Sequence, residues 1–241
     1  MRNAVARGDL RARMRSPKSV GLITFALALL AATALLLVPQ ELEGGSRLPI
    51  GSAYILLAIQ MAVLTYLISA SACGEIAIEG EKSIWDLAGT RFPSRTIVYG
   101  KITSAVLSCA MLLALAAPFQ ALVLGVTGAS PVPFLLGWLL TLGTTCAAAA
   151  TAIWGMTLSE SEGVRSLVHW AWLGTLFMLS ALLPEPWRLL NPFQALWEAF
   201  EGGREWAWTL GSYAVLSVLF LEWAGWRLQR GRGSHAHLRG G

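Results

Sequence analysis

The chain has 241 residues, of which 55% are hydrophobic and 13% charged, and a formal net charge of +4. Soluble domains carry about 25% charged residues, so the composition excludes an ordinary water-soluble domain and points to a chain solvated by lipid. The positive excess does not make a folded basic surface of the kind nucleic acid binds, and no nucleic-acid partner is expected.

Residues 1–19 form a basic tail with Arg2, Arg7, Arg11, Arg13, Arg15 and Lys18. Leu10 and Met14, at i, i+4 spacing, offer one face suited to the inner membrane surface; a disordered, solvated tail fits the composition equally well. Six apolar runs follow, at about residues 20–38, 50–73, 102–126, 132–156, 164–183 and 207–227. At about 1.5 Å per residue each can cross a hydrocarbon core of about 30 Å, and none alternates as a barrel strand would. The first run, at about 19 residues, exceeds the roughly 7–15 of a cleaved signal and reads as a retained anchor. Breakers separate the runs: Pro39 with Gly44 and Gly45, Gly128 with Pro131 and Pro133, Gly163, and Pro184 with Pro186. The expected fold is an all-α integral membrane protein, with one transmembrane domain over 20–228 and a second basic tail at 229–241.

Orientation follows from Lys and Arg. The tail residues fall on the same side as Lys82, Arg91, Arg95, Lys101, Arg165, Arg227, Arg230, Arg232 and Arg239, against Arg47, Arg188 and Arg204 on the other. Basic loops stay in the cytoplasm, so both termini are expected there, in the cytoplasmic membrane of a bacterium or archaeon.

Catalytic signatures are missing: there is no phosphate-binding G-x-x-x-x-G-K-[ST], no H-E-x-x-H and no G-x-S-x-G. Cys73, Cys109 and Cys146 are scattered one per span and read as packing residues. His169, His235 and His237 form no metal-ligand spacing, so no metal and no cofactor are expected in this chain. Ionisable groups inside a membrane point to ion coupling by default, and Glu222 is the one strong instance. It reads either as a substrate- or proton-contacting group or as a carboxylate that snorkels or pairs with a base on a neighbouring helix. Gln60 and Gln120 are weaker pathway candidates, since buried amides more often join helices.

The segment EIAIEGEKSIWDLAGTRFPSRTIVYGK, residues 75–101, gathers four acidic and four basic residues between the second and third spans. At 100° per residue Glu79, Lys82, Ser83 and Asp86 share an arc, while Ile76, Ile78, Ile84, Trp85, Leu87 and Ala88 fill the rest, with Glu81 intruding. This predicts a short amphipathic helix. Gly74 and Gly80 permit a bend out of the second span, Gly89 can close the helix, Phe92 before Pro93 leaves helical geometry, and Ser94 is placed to cap the next helix.

The order Glu81-Lys82, Trp85-Asp86-Leu87, Thr90, Pro93-Ser94-Arg95 and Gly100-Lys101 resembles the loop of type-2 ABC exporter permeases, as does the six-span, both-ends-inside plan. The resemblance implies that the loop is a coupling helix docked into a cleft of a nucleotide-binding subunit. An amphipathic lever of this kind would be anchored by Ile84, Trp85 and Leu87, with Glu81, Asp86 and Arg91 fixing register, Lys82 among the coupling residues, and Pro93, Ser94, Arg95, Gly100 and Lys101 forming its hinge and interface. A surface helix lying on headgroups would use the same residues.

On the outer side, Asn191 is a good N-cap, Pro192 a good first helical residue and Gly202-Gly203 a good stop. Phe193, Leu196, Trp197 and Phe200 recur at i, i+3, i+4 and i+7, which predicts an amphipathic or re-entrant helix too short to cross; the resemblance implies an extracellular gate. Pro118 predicts a kink in the third span. The reading is the membrane subunit of an ABC exporter, acting as a dimer with itself or a related chain. Two ATPase subunits would hold ATP and Mg²⁺, and the cargo would be hydrophobic or amphipathic. A stand-alone carrier using Glu222, or a membrane scaffold, is the alternative.

Overall fold

The structure is a computed structural model that describes residues 4–43, 49–74, 84, 87, 90, 92–128, 130–159, 161–184 and 187–238. Eight long or short α-helices account for most of the described residues: α1 (Ala4–Arg15), α2 (Pro17–Glu43), α3 (Pro49–Cys73), α4 (Ser94–Thr127), α5 (Val132–Leu158), α6 (Glu162–Phe177), α7 (Pro192–Glu201) and α8 (Trp206–Leu238). Five of them, α2, α3, α4, α5 and α8, are long and apolar enough to cross a membrane. The chain is an all-helical membrane protein, its backbone hydrogen bonds closed within each helix as lipid demands.

Helix ends depart from the apolar runs in instructive ways. α4 starts at Ser94, within a residue of where Ser94 was expected to cap it and well before the apolar run at 102, and α8 continues to Leu238 past the expected 227. At 34 and 33 residues both are about 50 Å long, some 20 Å more than a hydrocarbon core. Their polar ends continue the helix beyond the apolar stretch. Pro118 lies inside α4, which runs unbroken from Ser94 to Thr127.

The expected span at 164–183 is not one α-helix. α6 ends at Phe177 after 16 residues, and a 3-10 turn, Leu179–Leu182, follows it. Two carbonyls of the last α-turn are diverted: Ser180 Oγ donates to Leu176 O, and Asn191 Nδ2 donates to Phe177 O at 2.9 Å. Leu183 is then extended (φ −75°, ψ 149°) before Pro184, as a residue preceding proline prefers.

α5 is the centre of the bundle, packed along its length between α3 and α8. Its buried residues include Gly137, Thr141, Thr144, Ala147 to Ala150, Ala152 and Gly155. Small residues let helix backbones approach in lipid, where association rests on close packing and not on exclusion of water. A Cβ on Gly137 would sit 2.9 Å from Leu57 Cδ1 and 3.3 Å from Leu196 Cδ1, and one on Gly143 2.6 Å from Leu210 Cδ2. α2 lies outside, against α3 and α4, and leaves Phe25, Leu35 and Leu36 exposed. Lipid is the natural solvent for that face.

The N-terminal tail is not free; of the two residues expected to face the membrane, the side chain of Met14 lies outside the described residues. α1 packs on α4 and buries Val5, Ala6 and Asp9 against the protein, leaving Leu10 half-buried.

Leucine at position 137 would force Leu57 and Leu196 apart and is expected to cost about 1–3 kcal/mol. Alanine would cost less, because the atoms it meets are the ends of two flexible side chains. Thermal unfolding of the detergent-purified variants measures the difference.

Candidate functional site

The first two turns of α4 are the point where most of the charged chemistry meets. Thr90 ends the preceding segment with a side-chain turn, its Oγ1 donating to Leu87 O at 2.6 Å. Pro93 (φ −59°, ψ 142°) is the N-cap, and no side chain caps α4. Ser94, expected to cap, is therefore the first helical residue, because Pro93 already holds the extended geometry that a cap position needs.

Each face of these two turns has a different partner. Arg95 and Tyr99, four residues apart, share one face. Arg95 Nη2 donates to Glu222 Oε2 at 2.8 Å, and Tyr99 Oη donates to Glu222 Oε1 at 2.8 Å. Glu222 of α8 is thus held by both of its oxygens. Gly225, one turn on, lies beside the arginine stem, where a Cβ would meet Arg95 Cγ at 3.6 Å, an ordinary contact distance.

Lys101 points the other way, to α1. Its Nζ lies 3.1 Å from Asp9 Oδ2, with the two side chains 4% and 6% exposed. Desolvating two charges is expensive and is offset only by close pairing, so this contact fixes where α1 sits. Between these faces, Ile97 and Val98 enter the main core with Val5 of α1, Leu64, Ile68 and Cys73 of α3, and Leu221, Ala224 and Leu228 of α8.

Ile84 and Leu87 belong to that same cluster, at 0% and 6% exposure. They were expected to anchor a partner; the structure turns these two side chains inward, where α1, α3, α4 and α8 cover them. Gly100 and Lys101 are buried as well, whereas Phe92, Pro93 and Arg95 are exposed. Glu81, Lys82, Trp85, Asp86 and Arg91 lie outside the described residues. Gly74, at φ +82°, supplies the left-handed turn out of α3. Asp9 was not singled out in the sequence. Its signal was slight: it is the one carboxylate in a tail of six basic residues.

A second polar set runs inside the bundle along α3. Gln120 Nε2 donates to Gln60 Oε1, and Trp138 Nε1 donates to Gln120 Oε1 at 2.6 Å. Both amides are buried and tie α3, α4 and α5 together. Further along, Thr65 and Thr145 hydroxyls lie 3.2 Å apart, and Cys109 Sγ reaches Thr145 Oγ1 at 3.6 Å. Ser69 Oγ is 2.8 Å from His169 Nε2, and Cys73 Sγ is 3.7 Å from His169 Nδ1. These bonds join helices. Among the described residues no group of His, Cys, Asp and Glu is arranged to hold a metal ion.

The opposite end is closed by α7. Asn191 caps it, accepting from Phe193 N at 2.9 Å and Gln194 N at 3.2 Å, and Gly202 (φ +79°) ends it. Leu196 is fully buried against α5, Phe193 packs on Phe177 with ring centres 5.0 Å apart, and Tyr54 of α3 meets Trp197 edge-on at 5.2 Å and Phe200 at 6.2 Å. All four expected residues of this helix come together over the ends of α3, α5 and α6.

Comparison with models of known protein families, with curated proteins and with solved structures finds no match.

Removing one member of the buried pair, by Asp9→Leu or Lys101→Met, is expected to cost about 3–5 kcal/mol by stranding the other charge, while the double variant recovers most of it. A double-mutant cycle on thermal unfolding in mild detergent tests this.

Proposed function

We propose that this chain is the membrane-spanning subunit of an ATP-driven ABC exporter. Two copies, or one copy with a related chain, would enclose the pathway, and two separate ATPase subunits would bind ATP and Mg²⁺ beneath them. The observation that carries the reading is the junction on α4. Its first two turns are gripped by α1 through Lys101, by α8 through Arg95 and Tyr99, and by the preceding segment through Ile84 and Leu87. A push on the loop before Pro93 would pass into several membrane helices at once, which is what a rigid-body transmission requires.

Six crossings complete the proposal. α6 and its 3-10 extension together span about 32 Å. Their contacts run from Ser69 and Cys73, at the end where Arg95, Lys101 and Arg165 gather, to Phe193 at the other. With that basic end in the cytoplasm both termini are cytoplasmic. Since Ile84 and Leu87 face inward, partner docking falls to Trp85, Asp86 and their neighbours, together with exposed Phe92 and Arg95. Gln60 and Gln120 bond to each other within the protomer, which favours a route between subunits and a hydrophobic or amphipathic cargo.

A carrier acting alone would need Glu222 free to load an ion. Its two bonds to Arg95 and Tyr99 support a structural role instead.

Affinity purification of the tagged chain in mild detergent should bring down an ATP-hydrolysing subunit in stoichiometric amount, and Trp85→Ala should lose it while the unfolding temperature stays unchanged. A pure single chain without ATPase activity would reject the exporter reading. Cysteines placed in the N-terminal and C-terminal tails should label from the same side of sealed vesicles; labelling from opposite sides would reject six crossings.

A further inference from the structure

The orientation of α1 has a chemical consequence independent of any ATPase. Val5, Ala6 and Asp9 are buried against the protein, and Ser16 continues that side. At 100° per residue, Arg7, Arg11 and Arg15 fall on an arc centred roughly opposite, and all three are exposed. The only carboxylate between residues 4 and 18 is Asp9, and it is turned inward to Lys101. The outward face of α1 is therefore cationic, with no acid of its own among residues 4–18.

Small residues lie between the arginines and open the surface. One groove of about 320 Å³ is lined by Ala4, Arg7, Gly8 and Arg11, and a second of about 380 Å³ by Arg7, Leu10, Arg11 and Arg15. The level of the face is set by the chain itself. Arg15 stands two residues before Pro17, where the apolar span Pro17–Leu37 begins, and Ser16 N and Val20 N continue the helical bonds across the join, at 3.0 Å each. Arg15 thus stands beside the first turn of the apolar span, with Arg11 and Arg7 about one and two turns further from it along the helix.

We propose that the Arg7–Arg11–Arg15 face of α1 is a binding site for the phosphate groups of anionic phospholipids. Guanidinium groups bind phosphate through paired donors, and basic residues at the surface of an anionic leaflet are attracted to it. Two features separate this from a basic tail that merely floats near the membrane. The buried Asp9–Lys101 pair holds the helix so that all three arginines face away from the protein, and the surface between their side chains is open. An acidic partner protein is the competing occupant; the adjoining membrane span favours lipid.

The test uses the full-length chain alone in mild detergent, titrated with phosphatidylglycerol or phosphatidylcholine and read by native mass spectrometry. The wild-type chain should retain phosphatidylglycerol in preference to phosphatidylcholine. The combined Arg7→Gln, Arg11→Gln and Arg15→Gln variant should weaken phosphatidylglycerol binding by at least about tenfold, with phosphatidylcholine binding and unfolding temperature unchanged. Equal phosphatidylglycerol retention by the variant overturns the proposal. Displacement of the lipid by millimolar inorganic phosphate would show a free-anion site and overturn the lipid assignment. Loss of a co-purifying protein with lipid binding intact would make the face a protein-docking surface, which also overturns it.

Discussion

Everything in this bundle is arranged around the closeness with which α3 and α8 approach α5. In lipid there is little gain from hiding one apolar helix against another, so contact must come from dense packing and a few internal hydrogen bonds. Gly137, Gly143 and the alanine run at 147–150 provide the first. The Thr65–Thr145 and Gln60–Gln120–Trp138 contacts provide the second, and they lie in the seams that the small residues create.

Around that centre, charge is managed by pairing at the ends. Two basic residues in the opening turns of α4 are each satisfied by an acid from a remote helix, Arg95 by Glu222 and Lys101 by Asp9. The two pairs are unlike in solvent. The first is exposed and screened, and exposed pairs contribute little to stability. The second is enclosed, so its loss on one side strands a charge. α1 is therefore bound to the bundle by a contact whose energetic weight lies in being complete.

What the sequence made legible follows from how local each signal is. The caps of α7 were readable because Asn191, Pro192 and Gly202 act within a few residues of themselves. The apolar runs were readable because length and composition alone define them. The start of α4 was readable to within a residue, because Phe92, Pro93 and Ser94 act locally; the pairing of Arg95 and Lys101 was not, since their partners come from near the two ends of the chain. The inward turn of Ile84 and Leu87 was hidden for the same reason: an amphipathic pattern shows that a face is covered, not by what. The break after Phe177 depends on Asn191, fourteen residues later.

That asparagine ties two elements into one mechanical piece. Its oxygen accepts twice at the start of α7, and its nitrogen donates to Phe177 O and to Ser180 Oγ at 3.1 Å, using the full capacity of an amide at ordinary geometry. The end of α6 and the whole of α7 must then travel as a unit. Any widening at this end of the bundle has to be taken up beyond Gly202, at the glycine pair leading into α8, so the lid and the post beneath it cannot be opened separately.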